Sequence, residues 1–383
     1  MGLLVYKIFS LAILLLVAGC ARSGIKYAAK SDENPYRMFG KEPARVFYFP
    51  QNVSDSLVLK WQSDVYGGFT NSSVSAYDDL VFVNDLAGRI FCFNIETGKS
   101  IGYLKYSSGS VFSTPIPLRS KIIFPVALEK ENLTELIIYD YNLGKELEDI
   151  ELPGRVVTQM LVSDDDDVLF TTEVGIAYRF NSNGRKKWET HTRIPTRSSP
   201  VLTNDLFIFG NDKGEIIALD AATGDSVYAR KIDGHFFSGL TVSENIIYAG
   251  NENGNVYALN ANNGDLIWQF DTGFRIKMEA AVDEHNAYIG NLNGSFFSIN
   301  KNTGELNWEI KSESIFNVTP LVTSNIIILP NVLFSFLLLD KETGEIKKSI
   351  RLDGRAKLSP VIHRNTLFIG FDDGVLRAYE FIY

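Results

Sequence analysis

The amino-acid sequence predicts an all-β fold: a single eight-bladed β-propeller, four antiparallel strands per blade, with the last blade closed by an N-terminal strand. Three observations carry that expectation. A glycine recurs every 40 residues at Gly184, Gly224, Gly264, Gly304 and Gly344, with Gly144 ahead of them and Gly98 a further 46 residues back. The same phrase surrounds it each time, as in Ala218-Leu219-Asp220-Ala221-Ala222-Thr223-Gly224 and Leu338-Leu339-Asp340-Lys341-Glu342-Thr343-Gly344. Between glycines the apolar residues fall into four short clusters separated by turn residues, the spacing of strands and not of helices.

One period shows each element. Pro200-Val201-Leu202, Leu206 to Phe209, Glu215 to Leu219 and Ser226 to Ala229 are the four strands. Asn211-Asp212-Lys213-Gly214 turns the second into the third, and its copies end at Gly254 and Gly294, because such hairpins need a residue at positive φ. Pro200, Pro320 and Pro360 open the first strand, with Pro115 in an early blade; a residue without an N–H suits an edge, as the innermost strand of a blade is. A tryptophan follows the glycine by four residues at Trp188, Trp268 and Trp308, in the fourth strand.

The next glycine in the series would fall at 384, one residue past Tyr383, so the final blade lacks its fourth strand. An isolated copy, Leu57-Val58-Leu59-Lys60-Trp61-Gln62, is expected to supply it and close the ring against edge pairing. Seven glycine turns and this split blade make eight.

Upstream, Lys7 and the apolar run Ile8 to Val17 read as a secretory signal, too short to span a bilayer, over residues 1–19. Residues 20–56 mix Ser, Asp, Asn and Lys with Pro35, Pro43 and Pro50 and show no sustained period, which predicts a flexible tether to a propeller over 57–383. The small residues Val17-Ala18-Gly19 directly before Cys20 resemble the lipobox of bacterial lipoproteins, which implies cleavage before Cys20 and its acylation; the alternative is that Cys20 is one more apolar residue of the signal. Ala21, where an Asp would signal inner-membrane retention, implies an outer-membrane address facing the periplasm. Cys92 then has no disulfide partner and reads as a buried hydrophobe.

With 37 basic and 46 acidic residues the net charge is −9, which disfavours nucleic acid and bulk binding to anionic lipid, so any anion-binding surface is local. Stacking the segments that lead into each first strand gives Arg155, Pro195, His235, Arg275, Ile315 and Arg355 at one position. Two residues on stand Val157, Arg197, Phe237, Lys277, Asn317 and Lys357, on the same side of an extended chain, with Phe236, Phe274 and Phe316 interleaved. This collar suits an acidic or extended partner; alternatively the charges solvate loop tips while the aromatics wedge between blades. Ser163-Asp164-Asp165-Asp166-Asp167 lacks the glycine and distal glutamate of an EF-hand and reads as a solvated hairpin turn. His191, His235, His285 and His363 lack metal-ligand spacing, and no nucleophile, phosphate or dinucleotide motif occurs, so no cofactor, metal or catalytic residue is expected.

The phrase Ala-Leu-Asp-x-x-Thr-Gly-x-x-x-Trp resembles the repeat of quinoprotein-type (PQQ-like) β-propellers over residues 57–383. Two branches of that likeness differ in function. Quinoprotein dehydrogenases hold pyrroloquinoline quinone and Ca²⁺ in the funnel, typically with adjacent cysteines, and no cysteine pair exists here. A lipobox, a tether and one propeller of this length are similar, end to end, to the BamB family of outer-membrane β-barrel assembly lipoproteins. That resemblance implies a noncatalytic scaffold bound to a periplasmic domain of the barrel-forming assembly subunit, with unfolded outer-membrane proteins as further clients. It places binding in the loop between the third and fourth blades, here Arg193, Ile194 and Arg197, though not in identical register. The family's acidic pair in the next equivalent loop is not reproduced, since that loop is His235-Phe236-Phe237 with Asp233 the nearest acid. A quinoprotein oxidoreductase or a ligand-sensing propeller is the alternative.

Overall fold

The computed structural model describes residues 24–106, 109–203 and 205–383; the signal and Cys20 lie outside it. Among the described residues the strands form eight sheets around one axis. The innermost strands of blades 1 to 7 are Ser75–Tyr77, Ile116–Leu118, Leu161–Val162, Val201–Leu202, Leu240–Ser243, Ala281–Val282 and Leu321–Thr323. Their outer strands are Ser100–Lys105, Lys145–Pro153, Lys186–His191, Ser226–Lys231, Leu266–Asp271, Leu306–Lys311 and Ile346–Arg351. Blade 8 holds Val361–His363, Thr366–Phe371 and Val375–Phe381, and Leu57–Asp64 pairs antiparallel with the last of these as its fourth strand. Trp61 lies opposite Ala378 after a one-residue bulge, the register in which Trp268 lies opposite Ala258 and Trp308 opposite Ser298.

Glycine and tryptophan form one device repeated around the ring. Gly224 has φ +79°, and a Cβ there would stand 2.7 Å from the Trp188 ring of the preceding blade. The indole therefore packs on bare backbone, and its Nε1 donates to the carbonyl of Ala221 at 3.0 Å. Trp268 makes the same bond to Lys301 and Trp308 to Lys341. Trp61 repeats it across the closing seam, donating to Ile95 of blade 1 at 2.9 Å with its ring against Gly98. Burial follows the same logic, with the clusters of apolar side chains lying between neighbouring blades.

The ring has two faces. Turns between strands one and two and the glycine turns lie on one, called here the glycine-turn face; turns between strands two and three and the links between blades lie on the other, the collar face. Residues 24–56, expected as a flexible tether, instead form a strap packed on the glycine-turn face. The carbonyls of Pro43, Ala44, Val46 and Phe47 accept hydrogen bonds from Leu202, Val242, Val282 and Val322, one innermost strand in each of blades 4 to 7. Tyr48–Phe49 adds a fifth, parallel strand to blade 7. Ile25, Met38, Phe39, Phe47 and Val53 are buried, and positive φ at Lys41, Arg45 and Phe47 lets the strap follow the curve of the ring. The innermost edges that proline marks are thus partly covered.

Turn chemistry accounts for the aspartate run. Ser163 to Asp167 joins the first two strands of blade 3; Asp164 and Asp165 are exposed to solvent, while Asp166 is held by Arg37 of the strap at 2.6 Å, and Asp167 by Arg179 at 2.7 Å and Lys187 at 2.5 Å. Cys92 is fully buried in blade 1.

His363 ends the innermost strand of blade 8 beneath the strap, 4.0 Å from Asp32, and its Nε2 has no hydrogen-bond partner among the described residues. Burial pulls its pKa down to about 4, against the opposing pull of Asp32; Arg364 and Lys41 add to the lowering. A histidine kept neutral in the fold contributes stability above the unfolded value near 6.5. That contribution, of order 3 kcal/mol at most, is lost as pH falls from about 6.5 toward 4, since the unfolded chain takes up the proton first. The melting temperature is therefore expected to fall more steeply between pH 7 and 4.5 for the native chain than for His363→Leu; parallel curves would show that His363 does not titrate in this way.

Candidate partner-binding face

The links that enter blades 3 to 8 run extended across the collar face, and their side chains alternate in and out. Val156, Thr196, Phe236, Ile276, Phe316 and Ala356 are fully buried between blades. The residues before and after each of these point outward, so the two-residue spacing read from the sequence holds. Phe236 falls on the inward phase, against Tyr257 and above Gly210, where an added Cβ would stand 2.7 Å from its own. It is core, which corrects its assignment as a partner contact. Phe237 is half-buried and Phe274 exposed, so only part of the aromatic set is offered to solvent.

The cations are less free than their spacing implies. Arg155 donates two hydrogen bonds to Glu173, at 2.5 and 2.8 Å, which hold it firmly protonated. Arg197 pairs with Asp212 and lies 4.5 Å over the Phe237 ring, which His235 stacks against from 5.7 Å. Arg355 pairs with Asp372 at 2.5 Å. Each acid sits in the turn between strands two and three of the same blade. Blade 6 has Leu292 at that place, and Arg275 and Lys277 stand exposed with no carboxylate within 4.0 Å among the described residues. Arg193, at φ +61°, and the half-buried Lys357 of blade 8 have no carboxylate partner among the described residues either, and Ile194 is half-buried next to Arg193.

Between the innermost strands lies a feature that the sequence does not announce. Successive blades are tied around the axis by side chains accepting from the preceding blade's backbone: Thr114 from Ser73, Gln159 from Thr114, Ser199 from Gln159, Glu279 from Gly239 and Thr319 from Glu279. Arg45 of the strap crosses this channel. Its neighbours Ala44 and Val46 are held by blades 5 and 6, while its Nη2 reaches blade 3, donating to the carbonyls of Gln159 at 2.9 Å and Met160 at 3.3 Å. The guanidinium has no exposed surface, and burial pulls its pKa down to about 9, partly offset by the charge of Glu279. Cys92 is buried in blade 1, and the sequence has no adjacent cysteines.

The family model described as outer membrane protein assembly factor BamB matches residues 109–249, 194–311 and 252–381, most of the ring. The chain belongs to this family. Among solved structures, BamB from Moraxella catarrhalis superposes with a TM-score of 0.71 at 17% identity, over 85% of this chain and 100% of that one. Quinohemoprotein alcohol dehydrogenase from Comamonas testosteroni gives a TM-score of 0.76 at 11% identity, over 92% of this chain and 81% of that one. The computationally designed Ika8 protein gives 0.70 at 14% identity, over 83% of this chain and 98% of that one. At such identities these structures share a fold, and nothing finer follows from them. A search of curated protein sequences gave no match. Family membership agrees with the resemblance read from the repeat, and in this chain the loop of Arg193, Ile194 and Arg197 lies on the collar face, opposite the strap.

Proposed function

We propose that the chain is a noncatalytic scaffold, acylated at Cys20 and held at the outer membrane facing the periplasm, that assists assembly of β-barrel proteins. Its partner is a periplasmic domain of the barrel-forming subunit, and unfolded barrel proteins are secondary clients. The observation that carries this reading is the family match across the ring. Arg45 supports the noncatalytic part: a planar quinone and its cation in the funnel would have to displace a guanidinium that lies buried across the axis. The residues present therefore do not fit a quinone. Scaffolding needs only avidity, because an acyl anchor and one propeller face together confine the partner and raise its effective concentration.

The collar cations without an internal carboxylate are the expected contacts: Arg193, Arg275, Lys277 and Lys357, with Ile194, Phe237 and Phe274 as apolar neighbours. Arg155, Arg197 and Arg355 contribute less, since a partner would compete with Glu173, Asp212 and Asp372. Reversing Arg193, Arg275 and Lys277 to glutamate is expected to weaken binding of the partner's periplasmic domain by about a hundredfold, roughly 1 kcal/mol per contact. Reversing Arg155 and Arg355 is expected to change it far less. Calorimetric titration reads both, and the opposite ranking would move the contact to the paired sector.

A further inference from the structure

The strap fixes where the chain leaves the ring. Gly24 donates to the carbonyl of Tyr103 in blade 1, Ile25 is buried, and Tyr27 donates to Tyr141 at the glycine turn of blade 2. From Gly24 back to Cys20 is four residues, a reach of at most about 14 Å. A lipid on Cys20 therefore keeps the outer wall between blades 1 and 2 within about that distance of its membrane.

Charge around the same rim is divided. The residue after the turn glycine is Lys99, Lys145 and Arg185 in blades 1 to 3, but Asp225, Asp265, Glu305 and Glu345 in blades 4 to 7. All seven are exposed. Lys26 lays its stem over Gly144 beside Lys145, and Leu143 at the apex of that turn is 56% exposed. Lys186 and Lys187 on this arc, and Lys60 of the adjoining blade 8, are paired with carboxylates, whereas Lys26, Lys99, Lys145 and Arg185 have none within 4.0 Å among the described residues. The outer wall of blade 2 carries Glu146, Glu148, Asp149 and Glu151, all exposed, so that wall is repelled by anionic headgroups; on the glycine-turn face of blades 1 to 3 the exposed acids are Glu96, paired with Lys60, and Asp164 and Asp165 of the blade 3 turn.

We propose that the rim of the glycine-turn face over blades 1 to 3 rests on an anionic lipid surface. Lys26, Lys99, Lys145 and Arg185 meet the headgroups, Leu143 enters the interface, and the acidic arc of blades 4 to 7 tilts away. The collar face is then turned from the lipid and open to a periplasmic partner. This rests on the anchored part of the function proposed above. Juxtamembrane lysines gain from an anionic surface within a Debye length.

The test is lysine footprinting by mass spectrometry on the mature chain, coupled at Cys20 to a maleimide lipid; Cys92 is fully buried and does not compete. On vesicles of phosphatidylethanolamine and phosphatidylglycerol, acylation of Lys26, Lys99 and Lys145 is expected to slow by about fivefold or more relative to the uncoupled chain, while Lys277 and Lys357 are unchanged. Protection of Lys277 and Lys357, or of no lysine, would overturn the orientation. Equal protection of the arc on phosphatidylethanolamine alone would overturn the role of charge. The variant Lys99→Glu/Lys145→Glu/Arg185→Glu places the side-chain type found in blades 4 to 7, so the turns keep their geometry, and protection of Lys26 should be lost. Because the lipid is attached chemically, these outcomes are separate from native anchoring, which the mass of the Cys20 peptide from cells decides; an unmodified Cys20 there would sink the anchored reading itself.

Discussion

Replacing Trp61 by alanine is expected to lower stability by about 3–5 kcal/mol, the usual cost of deleting a large aromatic from a packed site. The loss is concentrated at one seam. Trp61 packs against Phe93 of blade 1 and Phe368 of blade 8, with ring centroids at 6.5 and 5.8 Å, and its Nε1 bond to Ile95 joins the two blades. Gly98, with no side chain, leaves room for the ring, so alanine at 61 opens a cavity that backbone cannot fill. Trp188→Ala removes the same contacts between blades 3 and 4, but there the chain itself runs on from one blade to the next. Hydrogen exchange separates the two: Trp61→Ala is expected to expose the amides of Leu57–Asp64 and Val375–Phe381 before the rest of the ring, and Trp188→Ala to leave them protected. Equal behaviour would mean that the closing strand is not the weak point of the ring.

Arg45→Ala is expected to cost about 3 kcal/mol, because it leaves Glu279 buried without its compensating charge and two carbonyls without their donor. The balance is a difference of large terms. Nε and Nη1 of Arg45 have no protein partner among the described residues, so the native guanidinium itself carries a desolvation cost, seen in its lowered pKa. Removing both charges should therefore be milder than removing one. The double variant Arg45→Met/Glu279→Gln is expected to recover more than half of the loss in urea unfolding. A neutral Arg45→Ala would show that the strap does not depend on its axial residue.

The ring was legible because each blade poses the same steric problem to the sequence. Gly224, Gly304 and Gly344 sit at φ +79°, +76° and +75° under a tryptophan ring, a place no other residue fits without strain, so the 40-residue beat is written in backbone geometry. Its missing final beat located Trp61 for the same reason. The strap was not legible. Pro43, Ala44, Val46 and Phe47 bond through their carbonyls to four different blades, and an irregular chain that takes its partners from elsewhere has no period of its own. On the collar face the repeat gave the spacing but not its phase: Phe236 and Phe237 look equivalent in sequence, and only packing shows which one faces inward. Glu173, Asp212 and Asp372 stand at one repeat position, but their pairing with Arg155, Arg197 and Arg355 depends on two turns meeting in space.

The scaffold reading is tested most directly by chemical crosslinking in intact outer membranes followed by capture of this chain. The expected result is recovery of the barrel-forming assembly subunit through its periplasmic domain, with crosslinks to Lys277 and Lys357 on the collar face. Recovery of no assembly component, together with dye-linked alcohol oxidation after addition of pyrroloquinoline quinone and Ca²⁺, would contradict it and make this propeller an oxidoreductase.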